Sequence, residues 1–269
     1  MRLVLIVEDR ADADAASMLA DRVFIEGDAD WIDAGTLPNL RQWTGIEPCV
    51  AAVENDNDEL RAHTKWKALG TLATQHGIKS HGRGLGADGA AARKALLLVI
   101  KARAQDNDIE AVVLVRDMDN QPERRTSMES ARAELGAKLA FQVAIAAPDP
   151  KREAWILHGY EPQDDKETTL LADARTSLGF DPATNPNRLR GDRRRGADEE
   201  DRDIKLVVER LTQGEYDRER QCLETPPLSM LRARGQITGL ADYLDEVDAR
   251  LLPLLDPSAQ AANRNGVDA

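Results

Sequence analysis

Val112-Val113-Leu114-Val115-Arg116-Asp117-Met118-Asp119-Asn120 is an apolar run that stops at two carboxylates separated by one residue. It reads as a buried strand that carries acids to its C-terminal end. Side chains alternate between the faces of a strand, so a strand continuing through this point puts Asp117 and Asp119 on one face and Met118 on the other. Two carboxylates on one rigid edge make half of a site for a hard cation such as Mg²⁺. The competing reading is an acidic turn by which any strand leaves a core.

The beginning of the chain repeats the pattern. Leu3-Val4-Leu5-Ile6-Val7 is continuously aliphatic and stops at Glu8-Asp9. Unbroken apolar runs are the habit of strands covered on both faces, as in a parallel sheet flanked by helices. Ligands of open α/β sheets sit beyond the carboxyl ends of strands, so both acidic clusters are expected at one crevice if the two strands are neighbours.

Around these strands the periodicity predicts helices. Residues 11–24 place Ala15, Met18, Leu19 and Val23 on one face, with Asp9 or Asp12 available as N-cap. Residues 27–57 lose the pattern among Gly, Pro, Asp, Trp31 and Trp43, and read as an insertion around a short helix near residues 37–43. Residues 59–75 are read as a helix that packs Leu60, Trp66, Leu69 and Leu72 and stops at Gly77. Ile78-Lys79-Ser80-His81 is a short candidate strand, followed by a glycine-rich turn and a helix over residues 90–104. Gly84 to Gly89 match G-x-G-x-x-G, but the residues before them are too polar for the strand that a dinucleotide site requires. A turn feeding a helix N-terminus, where Arg83 and backbone amides meet a phosphate, is the preferred reading. A helix over residues 122–139, a strand over residues 141–147 and a helix opened by Lys151-Arg152-Glu153 complete this part. Prolines before that helix aim Glu153 from its first turn toward the strand ends, although the helix dipole alone favours an acid there.

Composition narrows the classes. The chain has 269 residues, 42% hydrophobic and 31% charged, with a formal charge of -12. That acidity argues against a broad basic surface for nucleic acid, and aromatics at 4% argue against base-stacking platforms. Cys49 and Cys222 match no metal or redox spacing and read as buried reduced thiols. There is no run of transmembrane length and no signal-peptide pattern after Arg2, so the expected location is the cytoplasm, away from membranes. Residues 181–203 are a charged block, with Arg188, Arg190 and Arg193-Arg194-Arg195 ahead of Asp198-Glu199-Glu200-Asp201; it reads as a solvated loop that a phosphate backbone can also engage. Residues 204–211, 228–234 and 240–255 read as packed helices, and residues 257–269 as a disordered tail.

The order of parts resembles the Toprim fold, and within it the stand-alone prokaryotic Toprim-like proteins related to the overcoming-lysogenisation-defect (OLD) nucleases. The resemblance rests on Glu8-Asp9-Arg10-Ala11-Asp12, on Asp117-Met118-Asp119 and on Glu153-Ala154-Trp155-Ile156-Leu157. It covers residues 1–160 as a Toprim-like metal-binding domain, leaving residues 161–256 as a helical C-terminal region. It implies an α/β fold with a mostly parallel, Rossmann-like sheet and a site for Mg²⁺ or Mn²⁺, with two metals accommodated. Glu8 would be the metal-proximal acid and general base, Asp12 would hold a second cation, Asp117 and Asp119 would ligate the first, and Glu153 would join them. Asp9 stands where the family has glycine, and Asp12 is shorter than the family's glutamate. A response-regulator receiver domain, suggested by Ile6-Val7-Glu8-Asp9, lacks its phosphorylatable aspartate on a third strand and its lysine after residues 141–147.

The implied activity is metal-dependent cleavage of nucleic-acid phosphodiesters, DNA ahead of RNA, in anti-phage defence beside an ABC/Rad50-like ATPase that supplies binding. Arg83, Arg188 and Lys205 are the candidate phosphate contacts, since a groove beside acids needs positive charge. His81, beside the glycine turn, is the one histidine worth testing. The alternative is a non-catalytic interaction subunit that regulates the ATPase, favoured by Asp9, by the shortened Asp12 and by the helical C-terminal region. Trp31 and Trp43 mark either a surface for homo-oligomerisation or, as is commoner, satellite packing under a loop.

Overall fold

The computed structural model describes residues 1–27, 31–50, 62–79, 84–105, 107–191 and 202–255. The chain opens with β1 (Arg2–Val7), α1 (Arg10–Glu26), α2 (Leu37–Leu40), β2 (Gln42–Thr44), α3 (Glu47–Val50) and β3 (Thr64–Lys65). It continues with α4 (Leu69–Gln75), α5 (Gly86–Arg103), β4 (Ile109–Val115), α6 (Glu123–Leu135) and β5 (Gln142–Ala146). Everything named after that is helical: α7 (Arg152–Gly159), α8 (Asp165–Leu178), α9 (Ile204–Thr212), α10 (Tyr216–Glu224), α11 (Leu228–Arg234) and α12 (Leu240–Arg250).

The fold is α/β with a parallel sheet in the order β2-β1-β4-β5, and β3 also pairs with β1. β1 and β4 are neighbours and pair, with Leu3 opposite Ala111 and Ile6 opposite Leu114. Leu3, Val4, Ile6 and residues 111–114 are fully buried. Each such aliphatic side chain contributes about 1.5–3 kcal/mol when removed from water, which is why continuous apolar runs become the centre of the sheet.

Inter-residue contacts divide the chain into two compact units. Of the described residues, the first holds those within 1–116, 123–146 and 243–255, and the second those within 117–122 and 147–242. This differs from the expected boundary near residue 160. In the second unit α7 packs with the later helices: Trp155 Nε1 donates to Thr238 O at 2.8 Å, and His158 Nε2 meets Thr238 Oγ1 at 2.9 Å. In the first unit the Tyr243 hydroxyl donates to Ala16 O at 2.8 Å, and Arg132 ion-pairs with Glu246 at 2.7 Å. Long-range polar contacts therefore reassign helices that sequence order placed together.

The insertion read over residues 27–57 contributes to the sheet. Gln42 to Thr44 pair in register with Arg2 to Val4, and Thr64-Lys65 pair with Ile6-Val7. Such short edge strands need the open backbone edge of β1 more than an apolar run of their own, so their pattern is faint. The helix read over residues 59–75 is shortened to the same end: β3 and a 3-10 turn at Trp66–Ala68 precede α4, while residues 51–61 lie outside the described residues. Ile78 and Lys79 lie in no strand; His81 and Arg83, like the tail over residues 257–269, fall outside the described residues. Trp43 is tied down by a hydrogen bond from Nε1 to Asp21 at 3.1 Å, and Trp31 remains 46% exposed.

The glycine turn is explained by backbone geometry. Gly84 and Gly86 have φ of +87° and +67°, the left-handed region that glycine enters without a Cβ clash. A Cβ on Gly89 would stand 2.6 Å from Ser127 O, so the last glycine of the motif allows α5 to approach α6. No helix among the described residues is long and apolar enough to cross a membrane.

Candidate functional site

In the second unit, residues 117–121 form a turn laid against residues 148–150. Met118 N donates to Pro148 O at 2.9 Å, Asp119 N to Pro150 O at 2.8 Å, and Gln121 N back to Met118 O at 2.8 Å. Met118 is buried and anchors the turn. Asp119 and Asn120 take φ of +49° and +59°, a region that Asp and Asn tolerate better than other side chains. The strand therefore ends at Val115, and its alternation does not run on through Asp119 as the sequence reading supposed.

Both aspartates nevertheless converge on one positive centre. Lys151 Nζ lies 3.2 Å from Asp117 Oδ2 and forms a second, closer ion pair with Asp119 Oδ1. Asp117 Oδ1 accepts a hydrogen bond from Arg152 N at 3.1 Å, in the first turn of α7. Burial alone would lower the lysine pKa, but the Asp119 hydrogen bond and the charge of Asp117 outweigh it and hold the ammonium above its ordinary range. The sequence pattern assigns Lys151 no role at the site. Its one signal was a cation at the N-cap of a helix, a position the helix dipole disfavours unless an anion compensates.

Two further acids belong to this unit. Glu153 is buried, with Lys205 Nζ and an Arg152 amine each 3.7 Å from Oε1; Arg152 also reaches Glu219 at 3.2 Å. Asp149 was not anticipated. Burial raises its carboxyl above the usual range although Asn120 donates a backbone hydrogen bond, and its Oδ1 is buried with no hydrogen-bond partner among the described residues. Of the candidate phosphate contacts, Lys205 is half exposed beside Glu153, whereas Arg188 lies over the Phe180 ring at 4.2 Å. Gly191 N donates to Asn120 Oδ1 at 3.2 Å, so the charged block meets the acidic turn at that residue.

The first unit holds the other predicted acids. Glu8 follows β1, and its Oε1 lies 2.7 Å from an Arg116 amine. Arg116 also reaches Asp88 at 2.9 Å and lies 5.8 Å from the centre of the Trp66 ring. Trp66 is fixed in turn by a hydrogen bond from Nε1 to Val115 O at 2.5 Å. Asp12 is engaged in a capping box: the Asp9 side chain accepts from Ala11 N and Asp12 N, and Asp12 Oδ2 accepts from Asp9 N at 3.2 Å. Asp12, the acid expected to hold a second cation, is thus engaged with Asp9 in capping α1.

No group of three or more His, Cys, Asp or Glu side chains among the described residues is gathered to hold a metal. Mg²⁺ is, however, commonly held by one or two carboxylates, with waters and substrate phosphates completing its octahedron. Asp117 and Asp119 fit that smaller donor set, since both reach a single ammonium nitrogen. Comparison with protein-family models, curated proteins and solved structures gives no match.

Proposed function

We propose that the chain is a Toprim-type hydrolase of nucleic-acid phosphodiesters that depends on Mg²⁺ or Mn²⁺. The observation that carries this reading is the convergence of Asp117 and Asp119 on one cationic point. A divalent ion seated there would supply Lewis-acid polarisation of a phosphoryl oxygen and neutralise charge developing on it. The residues of the chain do the positioning. Arg152 N keeps the Asp117 carboxylate aimed, the Met118 anchor and the two backbone bonds to Pro148 and Pro150 hold the turn, and half-exposed Lys205 offers positive charge to a phosphate. Net acidity leaves capture of the nucleic acid to a partner, for which an ABC/Rad50-like ATPase in anti-phage defence is the proposed class.

A second reading, a non-catalytic subunit that regulates such an ATPase, is favoured by a separate observation: each predicted acid already has a protein partner. Lys151 meets Asp117 and Asp119, Arg116 meets Glu8, Lys205 meets Glu153, and the cap engages Asp12. The two are separated by incubating the purified chain with supercoiled plasmid and labelled RNA in Mg²⁺ or Mn²⁺, with EDTA, Glu8→Ala and Asp119→Ala controls. Metal-dependent cutting lost in Asp119→Ala supports the hydrolase. Absence of cutting with the ATPase present, together with intact partner binding in Asp119→Ala, supports the regulatory subunit.

A further inference from the structure

The ammonium of Lys151 stands at the point on which the two carboxylates converge, and it is well enclosed: its side chain is 12% exposed, against 9% for Asp117 and 22% for Asp119. A divalent ion ligated by both carboxylates would need the same oxygen lone pairs and would meet a like charge at contact distance. The two cations therefore exclude each other. We infer that Lys151 is the resident counter-cation of the Asp117/Asp119 pair, and that a divalent ion enters by exchange with its ammonium. This rests on the reading of the pair as a cation seat.

The surroundings suit exchange. Asp117 Oδ1 is held by Arg152 N independently of the lysine, so that carboxylate keeps its aim when Nζ departs. Lysine carries a compact charge on a flexible stem with three donors, and it can leave without disturbing the backbone that holds the acids. Once displaced, the ammonium needs another anion. A phosphodiester brought to the seat supplies one, so divalent ion and phosphate each strengthen the binding of the other, as reciprocal linkage requires. Lys151 thereby makes the seat a poor metal site in the free protein and a better one when a phosphodiester is present.

The test is calorimetric titration of Mn²⁺ into the full chain, as wild type, Lys151→Met, Lys151→Arg and Asp119→Asn, with and without a phosphorothioate oligonucleotide that resists cleavage. Lys151→Met is expected to bind Mn²⁺ about tenfold more tightly than wild type, the scale of one charge-assisted interaction. Lys151→Arg should stay near wild type or weaker, and Asp119→Asn should lose binding. The oligonucleotide should tighten Mn²⁺ binding to wild type and leave Lys151→Met unchanged. Thermal melting supplies a second readout: Lys151→Met should melt below wild type without Mn²⁺ and gain more from its addition. If Lys151→Met binds no tighter and gains no more, while Asp119→Asn abolishes binding, exchange is overturned and the seat stands. If neither wild type nor Lys151→Met binds Mn²⁺, both the exchange and the seat fall.

Discussion

The two units differ in how many ionisable groups they bury. In the first, the centre of the sheet is aliphatic, Asp12 and His63 are buried, and the Glu8, Arg116 and Asp88 groups are partly exposed. In the second, ionisable groups are buried: Asp117, Glu153, His158, Glu167, Asp203 and Arg218. The first unit fills its sheet centre with apolar side chains and ties buried Asp12 into a helix cap, whereas the second buries more groups whose desolvation must be offset by specific partners. The same contrast separates the two cations at the candidate acids. Arg116 is a planar fork spread over Glu8 and Asp88 beside Trp66; Lys151 is a point charge between Asp117 and Asp119. The first arrangement is built to stay, and the second is built to be exchanged.

The sharpest way to break this comparison is to remove one partner of a buried pair. Arg218 donates to Glu167 at 2.7 and 3.0 Å and lies over the Tyr160 ring at 4.9 Å. Arg218→Met should cost about 3–5 kcal/mol in urea unfolding, because Glu167 is left charged and buried. Restoring an apolar match with Glu167→Leu should recover much of the loss. Arg116→Met in the first unit should cost only about 1 kcal/mol, as a pair on a partly exposed rim does. Equal costs for the two arginine variants would erase the distinction.

Next in size is the response to pH. Burial pushes the His158 imidazole down to about 4, despite the Ala183 carbonyl that favours the charged form, and the nearby Arg234 charge acts in the same direction as burial. The unfolded chain then binds more protons than the folded one, so stability present above the ordinary histidine pKa of 6.5 is lost as pH falls toward 4. The total loss should be about 3 kcal/mol. Urea midpoints of wild type and His158→Gln, measured from pH 7.5 to 4.5, should diverge over this window and in this direction. A parallel pH course in the two proteins would remove His158 as the cause.

Smaller effects are expected on the first unit. Asp9→Ala removes the side-chain acceptor for Ala11 N and Asp12 N and should lower stability by about 1 kcal/mol. This also sorts the readings of Asp9: a cap shows up in melting temperature, whereas a site residue shows up in cleavage at unchanged stability. Smallest of all is Arg22→Ala, which deletes an i,i+4 pair with Glu26 and should cost about 0.3–0.5 kcal/mol in the same unfolding assay. A loss as large as that of Arg218→Met would contradict the view that the exposed ion pairs of the first unit contribute little.

Much of the scaffold was legible before any coordinates. Continuous aliphatic runs at residues 3–7 and 112–115 predicted β1 and β4 and their parallel habit, because a sheet covered on both faces keeps such runs dry, whereas their pairing stayed an open condition. Asp9 was readable as a cap from its place before an amphipathic helix. Of the site, Asp117 and Asp119 were marked by the abrupt end of an apolar run. Asp149 was not, and the N-cap cation at Lys151 hints only that an anion is near without saying which.

What the sequence by itself determined is therefore the set of segments that must be buried, and with it the α/β class. Only the tertiary structure decided that Gln42 to Thr44 and Thr64-Lys65 join β1, that α7 packs with the later helices, and that Lys151 closes on two aspartates more than thirty residues earlier. The reason is physical. Hydrophobic periodicity is a local property written into neighbouring residues, whereas edge pairing and ion pairing depend on which backbone edge or opposite charge the finished fold brings within a few ångströms.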